Sequence, residues 1–270
     1  MIQIKDLHFA YPRQQALFNS LSVHLEAGSI TGLLGKNGAG KTSLLKLLTG
    51  LLHPLSGELS VMDHQPHKRD VSMLNDVFMV PEEFYFPSIS IRDYLKAYTP
   101  FYPRFDYELL DRILVEFELD NQRNLQRLSH GQKKKFLIAF ALSTRCRLLV
   151  LDEPTNGLDI PSKALFRKIL AGSLDEDQLV IISTHQVKDV ENLIDKIIIL
   201  DNGEVIFNQT IIEISQKVSF VSGTSADTKE AIYSEAVPGG YRIMIQDGHE
   251  ETEVDIELLF NAITNGHKIG

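Results

Sequence analysis

One cysteine, Cys146, stands among 270 residues, so no disulfide can form within the chain, and a lone thiol reads as a small core residue before it reads as a nucleophile. A reducing compartment suits such a chain. Long apolar runs are missing too. The longest, Phe136 to Leu142, falls far short of the roughly 20 residues a membrane-crossing helix requires, so any pore served by this protein would have to be formed by other chains. The opening Met-Ile-Gln-Ile-Lys-Asp lacks the apolar core of a secretory leader. Positive charge is in deficit: 27 Lys and Arg against 36 Asp and Glu give a net −9, which offers no electrostatic reason to expect nucleic acid as a partner. The single basic run, Lys133-Lys134-Lys135, reads as the solvated face of a helix. Metal-ligand spacing is absent from the histidines other than His185. His64 and His67 are three apart, but these side chains, His249 among them, read as solvated loop residues. Internal repeats and low-complexity segments are absent.

What is present begins with an ordinary globular composition, 43% hydrophobic and 23% charged, long enough for one large domain or one domain with an appendage. Residues 35 to 42 read Gly-Lys-Asn-Gly-Ala-Gly-Lys-Thr after the apolar run Ile30 to Leu34 and before a helical pattern from Lys41 to Thr49. This is the phosphate loop between its strand and its helix. Its glycines let backbone N–H groups converge on the phosphates of a nucleotide at the positive end of a helix dipole. Gly35, Asn37, Gly38, Ala39, Gly40, Lys41, Thr42 and Ser43 are the candidate contacts, with Lys41 reaching the β- and γ-phosphates and the Thr42 hydroxyl holding Mg²⁺.

Further along come Leu128-Ser129-His130-Gly131-Gln132, then Leu148 to Asp159 (Leu-Leu-Val-Leu-Asp-Glu-Pro-Thr-Asn-Gly-Leu-Asp), then Ile181-Ile182-Ser183-Thr184-His185. With the phosphate loop, and in this order, they resemble the signature, Walker B strand, D-loop and switch histidine of ATP-binding cassette (ABC) ATPases, over roughly residues 2 to 210. The resemblance implies an α/β fold: a P-loop NTPase core with an antiparallel β edge subdomain and an inserted helical subdomain, plus a small α+β C-terminal extension. The domain reading is an ABC ATPase domain over 1–214, its helical subdomain at about 88–145, and a small accessory domain over 215–270.

The residue pattern agrees with that plan. Ile2, Ile4, Leu21, Val23 and Leu25 alternate as strands do. Between residues 88 and 145, Ser90 to Asp93 resembles a capping box, and Leu109, Leu110, Ile113, Leu114 and Phe117 recur at helical spacing. Strands return at Leu148 to Leu151, Leu179 to Ser183 and Ile197 to Leu200, with helical patterns between these parallel-type elements. Asp201-Asn202-Gly203 then turns the chain into Glu204 to Phe207 as a hairpin. Beyond residue 214, Lys217 to Val221 and Tyr241 to Ile245 read as strands and Asp255 to Ala262 as a helix.

The resemblance also assigns roles. Tyr11 would stack on adenine. Asp152 would support the Mg²⁺ shell, Glu153 would polarise the attacking water, and His185 would sense the γ-phosphate. Ser129, Gly131 and Gln132 would meet ATP across a dimer. The chain departs from the family pattern twice. His130 stands where the signature usually has Gly, which questions any need there for a positive φ. Glu82, in Val80-Pro81-Glu82-Glu83, replaces the usual Q-loop Gln; its carboxylate could supply a metal oxygen but adds negative charge beside Asp152 and Glu153. The implied function is an ATP-hydrolysing subunit, with ATP and Mg²⁺, working as a homodimer or heterodimer. It would serve separate transmembrane permease subunits at the cytoplasmic face of the membrane, most simply in an exporter. The competing expectation is a soluble ABC ATPase acting on ribosomes or DNA, which usually carries two cassettes or a long coiled coil, and this chain has neither. An unrelated phosphate-loop kinase or GTPase would leave the signature unexplained, and no Asn-Lys-x-Asp guanine-reading motif is found.

Overall fold

Short runs of Leu, Val and Ile with no polar face must be covered on both sides, which places them at the centre of a parallel sheet. The computed structural model describes residues 1–225, 227–246 and 252–269, so His249 lies outside the described residues. In chain order these form β1 (Ile2–Ala10), β2 (Ala16–Leu25), β3 (Ser29–Leu34), α1 (Lys41–Leu48), β4 (Ser56–Val61), α2 (Val71–Leu74), β5 (Val77–Val80), α3 (Ile91–Tyr98), α4 (Tyr107–Glu116), α5 (His130–Ser143), β6 (Leu148–Asp152), α6 (Ile160–Ala171), β7 (Leu179–Thr184), β8 (Lys196–Asp201), β9 (Glu204–Thr210), α7 (Ile211–Ser215), β10 (Val218–Gly223), β11 (Ala231–Val237), β12 (Gly240–Gln246) and α8 (Ile256–Thr264). The main sheet has the order β5-β6-β7-β3-β8-β9. All neighbours run parallel except β9, which returns antiparallel along β8.

The two-residue period of a strand divides the interior in two. Leu149, Leu151, Val180, Ile182, Ile197 and Ile199 face one cluster, together with Phe136, Phe140 and the helices α3 to α6. Leu148, Val150, Leu179, Ile181, Ile198 and Leu200 face the other, which α1 and the antiparallel sheet β2-β1-β4 complete. The strand of the phosphate loop, β3, therefore lies under both layers. Its register against β7 (Leu34 beside Thr184), with β7 in turn placing Ser183 beside Asp152 of β6, brings the C-terminal ends of three strands to one level. Ligands of open parallel sheets bind at that edge.

Two expectations are corrected here. A helix was expected between the strands at Leu179 and Ile197, but that interval carries only 3₁₀ turns, Val187–Asp189 and Glu191–Leu193. The chain there is pinned to β3: the Asp195 carboxylate accepts from the Ile30 N–H at 2.8 Å, and Ile194 packs so closely on Gly32 that a Cβ would come within 2.6 Å of its Cδ1. The run Lys133 to Lys135 is not a solvated face. Lys134 is fully buried, because α5 is apolar almost all round from Phe136 onward and runs through the centre of its cluster.

Residues after 214 form the three-stranded antiparallel sheet β10-β12-β11, with α8 against it. β11 escaped the sequence reading because its residues are mostly of intermediate burial, with Ala236 exposed, and show no inside–outside alternation. Val218, Met244, Ile256 and Leu259 join the same hydrophobic cluster as the helices of the ATPase core, and Lys188 pairs with Glu257 of α8 at 3.0 Å.

Cys146 is 1% exposed at the end of α5's connection into β6, and burial pushes its thiol up to about 12. A thiol with a raised pKa stays protonated below that value, so at pH 8 the nucleophilic thiolate is scarce. Ellman's reagent is therefore expected to leave the native protein unmodified over minutes and to titrate one thiol per chain once it is unfolded. Rapid labelling of native protein would contradict this burial.

Candidate nucleotide site

The phosphate loop follows from its glycines, each for a different reason. Gly38 and Gly40 adopt φ of 84° and 106°, which side-chain-bearing residues resist, whereas at Gly35 a Cβ would meet the Leu200 carbonyl oxygen at 2.4 Å. Gly40 is also the N-cap of α1 and supplies no side-chain cap, so the first N–H groups of the helix remain available to an anion. Lys41 is only 8% exposed. Its ammonium donates to the carbonyls of Gly35 at 2.7 Å and Lys36 at 3.2 Å, bent across the loop it closes. Burial lowers its pKa, an effect offset by the nearby carboxylates Glu153, Asp152 and Glu82.

Around this loop lies a cavity of about 470 Å³, lined by Tyr11, Asn37, Gly38, Gly40, Lys41, Thr42, Ser43, Glu82, Asp152 and Glu153, within the size range of small-molecule sites. Gln14, Gln15, Ala16 and Leu17 line it as well. The sequence reading missed these, although a polar pair following an aromatic at a turn was the available signal. Gly35 and Ala39 lie behind the loop and shape it without lining the cavity. Tyr11 sits at the rim with its ring edge-on to Phe9, centroids 5.0 Å apart. Its hydroxyl and that of Ser43 share a hydrogen bond of 2.9 Å. The ring is thus fixed both by its own sheet and by α1.

The carboxylates are held in a graded way. Thr42 Oγ1 donates to Asp152 Oδ2 at 2.8 Å, and Ser183 Oγ donates to Asp152 Oδ1. Glu153 follows in the left-handed region at φ 45°, a conformation that costs energy in a non-glycine residue and is common where function demands it. Glu153 Oε1 accepts from the His185 backbone N–H at 3.1 Å and sits 2.7 Å from His185 Nδ1, while Thr184 Oγ1 donates to Oε2 at 3.1 Å. An ionised carboxylate only accepts, so Nδ1 carries the proton in this contact. Glu82 Oε1 accepts from Asn156 at 3.1 Å, and Gln186 donates to Asn156 at 3.3 Å, linking the Glu82 loop to the segment after His185.

The signature residues are elsewhere. Ser129, Gly131 and Gln132 line a separate depression with Gly157, Leu158 and Asp159 and contribute nothing to the phosphate-loop cavity. Ser129 caps α5 and forms a full capping box with Gln132. His130 is a first-turn helical residue with negative φ, so the question its sequence position raised has a plain answer: glycine's freedom is not needed there. At Gly131 a Cβ would come within 3.0 Å of the Gly157 carbonyl oxygen.

Comparisons with known proteins bear on the family and the fold. Residues 18–156 match the family described as ABC transporter. The SkfA peptide export ATP-binding protein SkfE of Bacillus subtilis (strain 168) is 30% identical, over 76% of this chain and 87% of the relative. The ABC transporter ATP-binding protein YtrB of the same organism is 24% identical over 98% of this chain and 93% of its own, so that match runs through the C-terminal extension. Among solved structures, a dimeric post-hydrolysis state of the ATP-binding cassette MJ0796 with ADP and Pi superposes with a TM-score of 0.69 at 20% identity, covering 78% of this chain and 98% of that one, a likeness of fold. On these matches this chain belongs to the ABC transporter family, as an ATP-binding subunit.

Proposed function

We propose that this protein hydrolyses ATP as one half of a head-to-tail dimer that powers a membrane exporter through separate transmembrane subunits. The observation that carries the reading is the separation of the two nucleotide-facing surfaces: the phosphate loop and the signature line different cavities of one chain. A chain so built completes each site only with a second copy or a close relative. Peptide export by a relative of similar length supports the exporter assignment. Among the described residues no helix is long and apolar enough to cross a membrane, which is consistent with a peripheral subunit at the cytoplasmic face.

ATP phosphates fit the loop because Lys41 already offers its ammonium there and Gly38 leaves open space where a Cβ would stand. Mg²⁺ fits the paired oxygens of Thr42 and Asp152, hard donors of the kind that leave several positions to phosphate and water. Bound Mg²⁺ would neutralise charge that develops on the phosphates. Glu82 lines the same cavity and could offer a further carboxylate oxygen there, although its hydrogen-bond partner in the structure is Asn156. Tyr11 presents its ring to the base. Glu153 orients and deprotonates water, held in place by Thr184 and His185, and His185 reports the γ-phosphate. Closure by ATP and reopening after hydrolysis then drive the membrane partner.

The direct test is Mg-ATP hydrolysis by the purified chain, together with its recovery in the membrane fraction alongside a polytopic partner. Sedimentation with ribosomes instead would refute the transporter assignment. Within the signature, Gly131→Asp is expected to lower turnover by about 100-fold or more, since it places a side chain and a like charge where the backbone must meet phosphate. His130→Gly should cost less than about tenfold, the worth of one ring contact. Equal losses in the two variants, read by a phosphate-release assay, would show that the signature has been misplaced.

A further inference from the structure

Lys134 lies four residues after His130, so both project from one face of α5, and Phe84 packs against the two of them. The rings of Phe84 and His130 stack with centroids 5.5 Å apart and planes 24° from parallel. Lys134 Nζ sits 5.4 Å from the Phe84 centroid, within the range of a cation–π contact, and donates to the Pro81 carbonyl at 3.3 Å. The side chain is fully buried. Burial lowers its pKa to about 8, and the carboxylates Asp152, Glu82 and Glu153 oppose the shift. An ammonium in such a place costs more than an apolar side chain of the same volume would, and packing alone gives no reason to keep it.

The neighbours supply one. Pro81 and Phe84 flank Glu82, which reaches Asn156, and Gly157 abuts both His130 and Gly131. The loop beside Glu82 and the N-terminus of the signature helix thus meet at a single junction. We propose that Lys134 is a positioning residue that clamps the Pro81–Phe84 loop onto α5, so that Glu82 of one site and Ser129, which faces the other, move as a unit. This rests on the dimer reading above and adds the part that couples the two sites within one chain. Lys134 does not line the phosphate-loop cavity, so it touches the chain's own ATP site only indirectly, through Glu82 and through its charge near Asp152 and Glu153, and its main effect is on how the signature is presented.

The test is made in the full-length Glu153→Gln protein. With a fluorescent ATP analogue at nanomolar protein, Lys134→Met should bind with an affinity within about threefold of its parent, yet need about tenfold more protein to dimerise in Mg-ATP, as loss of one coupling contact predicts. Phe84→Leu should show the same split, and the double variant should be no worse than the weaker single, because both remove one clamp. Lys134→Arg, which keeps the charge and the donor, should recover most of the loss. Additive effects, an unchanged dimerisation midpoint in Lys134→Met, or an equal loss of monomer binding would overturn the proposal. Should Lys134→Met not fold, Phe84→Leu carries the comparison alone: dimer loss with binding kept supports the clamp, and any other pattern refutes it. A Glu153→Gln parent that never dimerises would refute the dimer reading itself.

Discussion

Glu153→Gln is expected to bind Mg-ATP normally and to accumulate as a dimer, with turnover reduced about 10²- to 10⁴-fold, the range for loss of a positioned base. The geometry explains why this substitution is informative where Glu153→Ala is not. The amide oxygen can keep accepting from the His185 backbone and ring, and the amide N–H₂ can donate to the Thr184 hydroxyl that now donates to Glu153. Position and contacts persist while the capacity to take a proton is lost. Alanine would leave those donors unpaired in a nearly buried site, where Glu153 is 5% exposed. Size-exclusion chromatography in Mg-ATP decides the matter: a variant that stays monomeric at micromolar concentration would remove the basis for shared sites.

Lys41→Ala is expected to weaken Mg-ATP binding by about 100-fold or more, since charge-assisted hydrogen bonds to phosphate are among the strongest single contacts a site can make. Lys41 is largely buried and already turned across the loop toward the Gly35 and Lys36 carbonyls, so its charge is presented before nucleotide arrives. Among the described residues, no other lysine or arginine lines the cavity. Calorimetric titration with Mg-ATP checks this, and near-normal affinity would sink the phosphate-loop assignment. A protein that has lost its fold along with its affinity would be recognised by a lowered melting temperature in the absence of nucleotide.

The sequence by itself determined the family and the fold class. The phosphate loop, the carboxylate pair at Asp152 and Glu153 and the histidine at 185 are local signals, each a few residues long at the end of an apolar strand, and short-range backbone geometry dictates what they can hold. The order of these motifs carried the fold class for the same reason, because strand and helix patterns between them are periodic. Only the tertiary structure decided which charges are solvated and which are not. Lys134 and its neighbours Lys133 and Lys135 look alike in sequence, but Lys134 is enclosed by α5's packing partners and the Pro81 loop, which are brought together from 53 residues away. Likewise, nothing in the pattern from Val187 to Ile194 distinguishes a helix from the turns observed; the contacts of Ile194 and Asp195 with β3 decide it. The separation of the signature from the phosphate-loop cavity, expected from the resemblance, appears in the folded chain as two different depressions. Burial, long-range pairing and the facing of surfaces depend on residues distant in sequence, and a linear pattern carries no record of those distances.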